Sequence, residues 1–321
     1  MVTPTEIKEI SEYLVPSFYQ RYKIRFKRMW DLYTDSPFGL IGLFLVLIFS
    51  TIAIFAPILS PYNPNTSMVG GRNVAPSMSH PLGTNRVGQD IFSQLIYGTQ
   101  VSLLVGLAAA FIAVFIGTIF GLIAGYYGGW LDTILMRTTD FFIQLPPLPL
   151  MLILLAFQNE LNNVINTMTF GLIGRLPSIV WIILVIGLLG WTSTSRTIRS
   201  ETLSIKERAF IEATRSIGAS NFHIIFNHVL PNILPLVFAN AILGVVDAII
   251  SESGISFLGF GDMETWTWGR VLYEARFENV LITGAWWHFI PPGLCIMFLA
   301  LGFSLISFSL NEILNPKLRQ R

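Results

Sequence analysis

Charged residues and cysteine are scarce in this 321-residue chain. Only 12% of the residues are charged and 53% are hydrophobic, whereas about a quarter of the residues in a soluble domain are usually charged. The net charge of +1 and the scattered basic residues give no reason to expect a nucleic-acid partner. The single cysteine, Cys295, excludes a disulfide framework within the chain and a thiolate metal site. The composition indicates a protein whose solvent is largely lipid.

Motifs of catalysis are also missing. The sequence has no G-x-x-x-x-G-K loop for nucleotide phosphates, no H-E-x-x-H and no G-x-S-x-G. His223 and His228 stand five residues apart without a nearby cluster of ligands. We therefore predict no catalytic residues and no metal site, and the chain cannot hydrolyse ATP through a phosphate-binding loop.

Long apolar runs are abundant. A membrane-spanning helix needs about 20 mostly apolar residues, and Pro146, Pro147 and Pro149 should break or kink any helix in the third such run. The expected fold is all-α, a polytopic membrane helix bundle with six transmembrane helices. The predicted spans are 38–59, 99–125, 134–157, 178–195, 233–257 and 289–311.

Lysine and arginine predict the orientation, because cytoplasmic loops carry an excess of them. With the N-terminus inside, the inner segments hold 15 basic residues and the outer segments hold 5. Residues 17–34 mix basic and aromatic side chains, which suits an interfacial elbow helix or a charged flank that enforces topology. The predicted divisions are a cytoplasmic N-terminal segment with the elbow helix (1–37), the first span and an extracytoplasmic loop (38–98), a core of five spans with a cytoplasmic loop at 196–231 (99–311), and a cytoplasmic tail (312–321).

Local patterns predict how some of these segments pack. The outer loop at 60–98 is rich in proline, glycine, asparagine and serine, so it should form turns and serve as a receptor-docking surface or a passive connector. Arg137 and Asp140 stand three residues apart and could neutralise each other on one helix face. The second span carries a small residue at every fourth position, which suits close approach of another helix from this chain or from a second one. These residues are Ala109, Ala113, Gly117, Gly121 and Gly125.

A polar segment separates the fourth and fifth spans. Residues 202–217 predict one helix with Leu203, Phe210 and Ile217 on its apolar face, ended by Gly218 in the left-handed conformation. Ser220 or Asn221 could cap a second, short helix that stops at Pro231. Its apolar face would be buried in the membrane surface, the protein's own bundle or a partner's groove. That face comprises Phe222, Ile225, Phe226 and Val229.

Two carboxylates fall inside the fifth predicted span. Asp247 lies nearer its middle and Glu252 nearer its outer end. A carboxylate within a membrane is costly and marks either a pathway or a buried partner. Each residue could therefore line a cavity or bond to a neighbouring helix.

The polar segment also resembles a known loop. Glu212-Ala213-Thr214, Gly218 and Leu230-Pro231 are similar to the EAA loop of ABC importer permeases. His80-Pro81-Leu82-Gly83-Thr84, residues 124–129, residues 256–261 and Trp268-Gly269 resemble the oligopeptide/dipeptide branch of that family, and in particular its C-type subunit. The resemblance covers about residues 38–319. Thr214 replaces the usual second alanine, and Gln89 replaces an arginine whose ion pair is thereby in doubt.

The resemblance implies a type I ABC importer permease fold in the cell membrane. Such a chain forms half of a translocation pathway for di- or oligopeptides delivered by an extracytoplasmic binding protein. It pairs with a homologous permease and two cytoplasmic ATPase subunits, which bind ATP and magnesium, and it holds no cofactor itself. Asp247 and Glu252 are the pathway candidates. The residues expected to couple it to the ATPases are Glu212, Ala213, Gly218, Ala219, Ser220, Phe222, Ile225 and Phe226, the last five on or beside a coupling helix that begins near Ser220.

Two other functions stay open. The same architecture could import oligosaccharides or another solute, because selection in this family rests largely with the binding protein. A secondary transporter would work without ATP, and inverted repeats would favour it, but the sequence shows no convincing repeat.

Overall fold

Long helices form nearly all of the regular structure. The computed structural model describes residues 33–168, 175–277 and 284–314, and within those ranges the only extended pairing is one isolated bridge between Thr84 and Asp90. Two π-helical turns, Ile225–Val229 and Ser256–Phe260, flank the tenth helix. The helices are α1 (Pro37–Ile54), α2 (Ala56–Leu59), α3 (Ile91–Tyr127), α4 (Gly129–Gln144), α5 (Pro147–Ala156), α6 (Gln158–Met168), α7 (Ser178–Lys206), α8 (Ala209–Ser216), α9 (Asn221–Ile224), α10 (Leu230–Ile255), α11 (Trp268–Phe277) and α12 (Trp286–Leu314).

The predicted all-α membrane fold is confirmed. Five helices are long and apolar enough to cross a membrane: α1, α3, α7, α12 and a continuous helix from Asn221 to Phe260. Helices α4 and α5 supply a sixth crossing if the pair is one span, and they are bent by 86°. The bend lies at Leu145 and Pro146, because proline lacks the N–H that would continue the helix. The prolines therefore break the third span as predicted.

Two helices extend beyond the membrane spans predicted for them. Helix α3 begins at Ile91 rather than 99, since Asp90 caps it by accepting a hydrogen bond from the Ser93 amide at 2.8 Å. Helix α7 runs on to Lys206 rather than stopping at 195. Hydropathy reports the apolar part of a helix, whereas caps and backbone geometry decide where the helix ends. The predicted elbow helix at 17–34 lies almost wholly outside the described residues.

The stripe of small residues on α3 packs against α7 of the same chain, which answers the question the sequence left open. A methyl group added to Gly117 would lie 2.6 Å from the Trp191 carbonyl oxygen, and one on Gly121 would lie 2.6 Å from the Ser195 carbonyl oxygen. Real side chains do not approach a backbone so closely. The glycines thus let the two helices touch through their backbones.

Ion pairs hold α4 against α7. Asp140 accepts from Arg196 at 2.6 Å, and Asp132 accepts from Arg199 at 2.6 Å. The predicted pairing of Asp140 with Arg137 is wrong, because α7 crosses close enough to offer its own arginine. Sequence spacing shows which side chains share a helix face but not which neighbouring helix faces them.

Helix α3 joins the two ends of the bundle. Its 37 residues span about 55 Å at the usual rise per residue. We call the end beside the 60–90 loop the His80 end. At the other end, the Gly218 end, the Tyr126 hydroxyl donates to the Asn221 side-chain oxygen at 2.8 Å.

Candidate functional site: a jointed polar segment and a cavity

Gly218 is the joint of the polar segment. Its φ is +87°, in the left-handed region that favours glycine, and its amide donates to the Arg215 carbonyl at 3.0 Å. Ser220 then caps α9, since its hydroxyl oxygen accepts from the His223 amide at 3.3 Å. Both local predictions, the glycine end and the serine cap, are confirmed. Gly218 therefore ends α8 and separates it from α9.

The predicted single helix over 202–217 is wrong. Helix α7 ends at Lys206 and α8 begins at Ala209, with Arg208 in an extended conformation between them (φ −76°, ψ 141°). The break rotates α8, so its buried residue is Ile211, which packs in one cluster with Ile205 of α7. Of the predicted apolar face, Phe210 and Ile217 are instead exposed.

The short helix after the joint exposes two aromatic side chains. Phe222 is 70% exposed and Phe226 is 49% exposed, with their ring centroids 4.3 Å apart. On the same helix, Ile224 and Val229 are fully buried and Ile225 is half-buried. The inward face therefore anchors the helix to the bundle, while the aromatic pair stays available at the surface. A contiguous exposed apolar patch of this kind usually marks an interaction site.

The other predicted coupling residues surround this pair. Ala219 is half-buried, in the cluster that includes Ile211 and Ile224. Glu212, Ala213 and Ser220 are exposed. The structure brings the predicted coupling residues together on the two helices joined at Gly218.

The prediction that Pro231 ends the short helix is wrong. The π-helical turn Ile225–Val229 carries α9 directly into α10, and Pro231 lies in the first turn of α10. A proline disrupts regular α-helical bonding four residues back, and a π-turn changes the bonding register where this occurs. The result is one continuous helix from Asn221 to Phe260. The polar segment is thus joined to a membrane span without an intervening loop.

A cavity of about 250 Å³ lies beside the middle of α3, between α5, α7 and α10. Asp247 lines it as an exposed side chain, and among the described residues no group pairs with it. An ionised carboxylate within a membrane helix costs about 2.5–3.5 kcal/mol to insert. The other polar groups of the lining are Ser193, Thr194, Asn240 and Ser251.

Glu252 occupies a different environment from Asp247, although only five residues separate them. Its side chain is fully buried and accepts from the Ser256 hydroxyl at 2.7 Å and from the Ser253 hydroxyl at 3.5 Å. The hydroxyl side chains of Ser102, on α3, and Thr267, just before α11, also lie close to it. Glu252 is therefore a buried carboxylate among hydroxyl groups, whereas Asp247 faces the cavity.

The 60–90 loop forms turns, as predicted, and is held by buried polar contacts. His80 Nδ1 lies 2.9 Å from Asp90 Oδ1, and the His80 ring stacks on Tyr62 at 4.9 Å. Gln89, which replaces the arginine of the related motif, accepts from Asn85 at 2.8 Å and from Gln94 at 3.0 Å. A neutral hydrogen-bond network therefore occupies the position at which the motif of the oligopeptide/dipeptide branch has a charged arginine.

Helices α6 and α11 were missed by hydropathy because both are short and polar. Trp268, at the start of α11, is fully buried, donates from its indole to the Leu95 carbonyl at 3.2 Å and contacts the Phe49 ring edge to face at 5.6 Å. The Trp268-Gly269 motif was the one available signal of this contact. His223 and His228 lie with ring centroids 5.6 Å apart, and the part of the chain that the structure describes holds no group of three or more metal-ligating side chains.

Two models of known protein families match the sequence of this chain. A family model described as "Binding-protein-dependent transport system inner membrane component" matches residues 117–320. The chain belongs to this permease family. A second model, described as "N-terminal TM domain of oligopeptide transport permease C", matches residues 25–76 of the permease. Together the two matches cover the first span, the jointed segment and the cavity helices α5, α7 and α10.

Three relatives resemble the permease over most of their length. The dipeptide transport system permease protein DppC of Bacillus subtilis is 31% identical over 91% of this chain and 85% of its own. A putative peptide permease protein of Brucella suis is 35% identical over 87% and 86%. The glutathione transport system permease protein GsiD of Escherichia coli is 32% identical over 90% of each chain.

A solved structure shows the same fold. The inward-facing MetNI methionine ABC transporter matches with a TM-score of 0.50 and 19% identity, over 70% of this chain and 96% of that one. At that identity the likeness concerns the fold alone, which is that of a type I ABC importer permease. The family is a membrane component of transport systems.

Proposed function

We propose that this permease forms one half of the translocation pathway of an ATP-driven importer. The observation that carries the proposal is the continuous helix from Asn221 to Phe260. Its first turn exposes Phe222, and its middle carries Asp247 at the cavity. A displacement applied to the aromatic pair therefore moves the cavity wall with no loop to absorb it.

The exposed segment is proposed to seat in a groove of a cytoplasmic ATPase subunit. Phe222, Ile225 and Phe226 would fill the groove, since exposed apolar residues at helical spacing suit such a cleft. Glu212 and Ala213, exposed on α8, would line the rim of the contact. Gly218, Ala219 and Ser220 would set the angle between the two helices. ATP and magnesium would be bound by two such ATPase chains, because this chain has no phosphate-binding loop.

Asp247 is the residue that we propose for the pathway, because it is exposed to the cavity. For Glu252 we propose a supporting role instead, since its carboxylate is enclosed by hydroxyl groups and ties α10 to α3 and to the start of α11. Because this helix is continuous, a movement of α10 that begins at the Gly218 end would also displace the outer turn at 256–260.

The proposed orientation follows the basic residues, which number 15 on the side of the Gly218 end and 5 on the other side. Both termini and the 196–231 loop would face the cytoplasm, with 99–311 as the permease core and 312–321 as the tail. A homologous permease would complete the pathway. An extracytoplasmic binding protein would dock at the His80 end, where the ordered loop offers a surface.

The proposed cargo is a short peptide. The three relatives are named for dipeptide, peptide and glutathione transport, and glutathione is itself a tripeptide. An oligosaccharide or another solute would use the same architecture, so a ligand screen on the binding protein decides between them. Uptake that persists with ATPase subunits unable to hydrolyse ATP would instead favour a secondary transporter.

The test is a reconstitution of the whole transporter with Phe222→Asp in this chain. A charge in an apolar groove should abolish co-purification of the ATPase subunits, or at least stimulation of ATP hydrolysis by the loaded binding protein. Trp130→Asp is the matched control, because Trp130 is 71% exposed at the start of α4 and lies outside both the predicted spans and the jointed segment. Equal loss in both variants, or none in Phe222→Asp, would contradict the proposed docking.

A further inference from the structure

The cavity beside α10 has an unusual balance of charge. Of its lining residues only Asp247 is formally charged, and the other polar groups are hydroxyls and one amide. Asp247 is exposed to this space, and among the residues 33–168, 175–277 and 284–314 no arginine, lysine or hydroxyl pairs with it. The cavity therefore presents one uncompensated negative charge between otherwise apolar helices.

The polar residues of α10 in this cavity fall on one stripe. Asn240, Gly244, Asp247 and Ser251 follow the spacing i, i+4, i+7 and i+11, which places them on a single helix face. Asn240 donates to the carbonyl of Leu236 on its own helix at 2.9 Å, so its side-chain oxygen is directed away from that bond. Gly244 leaves room beside Asp247, because a methyl group there would come no nearer than 3.4 Å to Ala110. The stripe thus places an amide, a carboxylate and a hydroxyl along one face of the cavity wall.

We infer that Asp247 receives the amino-terminal ammonium group of a peptide cargo as the cargo crosses the membrane. An ammonium group has three donors, a positive charge and no acceptor, so an unpaired carboxylate with a hydroxyl one turn away on the same helix face complements it. This assignment rests on the proposed function. It adds a charge preference within the permease, separate from selection by the binding protein.

The size of the cavity suits binding of the amino-terminal part of a peptide rather than of a whole peptide. At about 250 Å³ it is smaller than the roughly 300–1,000 Å³ of sites that enclose a whole small ligand. It can hold the amino-terminal part of a peptide, while the rest extends into the space that a second permease subunit would enclose. A neutral sugar would donate hydroxyl hydrogen bonds to the carboxylate but would leave its negative charge uncompensated.

The test measures ATP-dependent uptake by the complete transporter in proteoliposomes. A tripeptide with a free amino terminus and its N-acetylated form are supplied at concentrations that give equal measured occupancy of the binding protein. Asp247→Asn should slow uptake of the free-amino peptide by about tenfold, as for loss of one desolvated charge pair. Uptake of the acetylated peptide should change by less than about twofold, because it never formed that pair.

Two variants separate charge from structure. Asp247→Glu keeps the carboxylate and should retain most uptake of the free-amino peptide, while Glu160→Gln removes an exposed carboxylate of α6 outside the cavity and should leave the preference between the two peptides unchanged. Stimulation of ATP hydrolysis by the loaded binding protein should survive in all of them.

Three results would overturn the inference. Asp247→Asn could transport the free-amino peptide at the unaltered rate, or lose both peptides equally. It could also fail to assemble with the second permease, in which case Asp247 pairs with a residue of that subunit rather than with cargo. If the unsubstituted transporter took up neither peptide, the proposed peptide function itself would fail.

Discussion

Polar side chains are buried and paired at the His80 end of the bundle, whereas apolar side chains are exposed at the Gly218 end. His80 and Asp90 are 4% and 0% exposed and in hydrogen-bond contact. Phe222 and Ile217 are 70% and 85% exposed. Each arrangement is costly by itself, since a buried polar network must be satisfied and an exposed apolar patch invites association.

The two ends differ in how far their polar side chains are partnered within the described part of the chain. Polar side chains of the His80 loop find partners within this chain. Gln89 accepts a hydrogen bond from Asn85. The side-chain oxygen of Asn65 accepts from the Trp266 indole at 2.7 Å. At the Gly218 end a side chain added to Gly218 would meet nothing within 4 Å. We interpret the first end as a preformed surface and the second as half of an interface.

Loss of Asp90 should have the largest effect on stability. Asp90→Ala removes the acceptor of His80 and of the Ser93 amide and hydroxyl. Breaking a buried pair of this kind costs about 3–5 kcal/mol of unfolding free energy. Denaturant unfolding of the purified permease in detergent measures it. Glu201→Ala is the control, because Glu201 lies 3.9 Å from Arg208 in a mostly exposed pair. Equal stability of the two variants would contradict the contrast between the ends.

Gly218→Val should come next, and its effect should be on the joint. The space around Gly218 is open, so the cost arises from the left-handed backbone alone, about 1–2 kcal/mol for a residue with a Cβ. Stimulation of ATP hydrolysis should fall strongly, because α9 would leave the joint at a new angle. Gly218→Asn is the matched variant, since asparagine tolerates this conformation better. Unaltered transport in Gly218→Val would show that the joint can relax.

Asp132→Asn should have a smaller effect, although it also breaks an ion pair. Asp132 and Arg199 hold α4 on α7 at the Gly218 end, and both are partly exposed. Pairs of this kind contribute about 0–1 kcal/mol, and the effect should shrink further in high salt. Thermal unfolding at two salt concentrations tests this, with Thr133→Ala as the neighbouring control. A loss as large as that of Asp90→Ala would mean that this end is as tightly built as the other.

Phe222→Ala should have the smallest effect on stability, within about 0.5 kcal/mol, because an exposed side chain loses few contacts. Binding of ATPase subunits should nevertheless weaken. Weaker binding without a loss of stability would identify Phe222 as an interface residue rather than a core residue. Phe49→Ala is the comparison at the other end, where the ring is buried against Trp268, and it should destabilise the permease clearly more. A stability loss in Phe222→Ala similar to that of Phe49→Ala would place Phe222 in the core.

Much of the fold follows from local chemistry. The apolar runs predict the membrane spans, the prolines predict the break between α4 and α5, and Gly218 and Ser220 predict the joint and its cap. Each of these features depends on one segment and its own backbone. Their confirmation is therefore expected from hydropathy and helix-capping rules.

The features that could not be predicted depend on neighbours. The residue that faces Asp140 is decided by where α7 crosses, and the face that α8 buries is decided by the break at Arg208. Neighbouring helices also decide the environments of Asp247 and Glu252, the two carboxylates of α10. Sequence alone gave Asp247 and Glu252 equal prospects, whereas only packing encloses Glu252 in hydroxyls from α3 and the start of α11.

The amino-acid sequence by itself determined that this protein is a membrane helix bundle with a polar, glycine-jointed segment, because composition and backbone preference act locally. Only the tertiary structure decided that this segment continues into a membrane span. The π-helical turn at Ile225–Val229 accommodates Pro231, and the packing of Ile224 and Val229 against the bundle holds that turn in place. Continuity through a proline requires support from other helices, which no local pattern of residues can report.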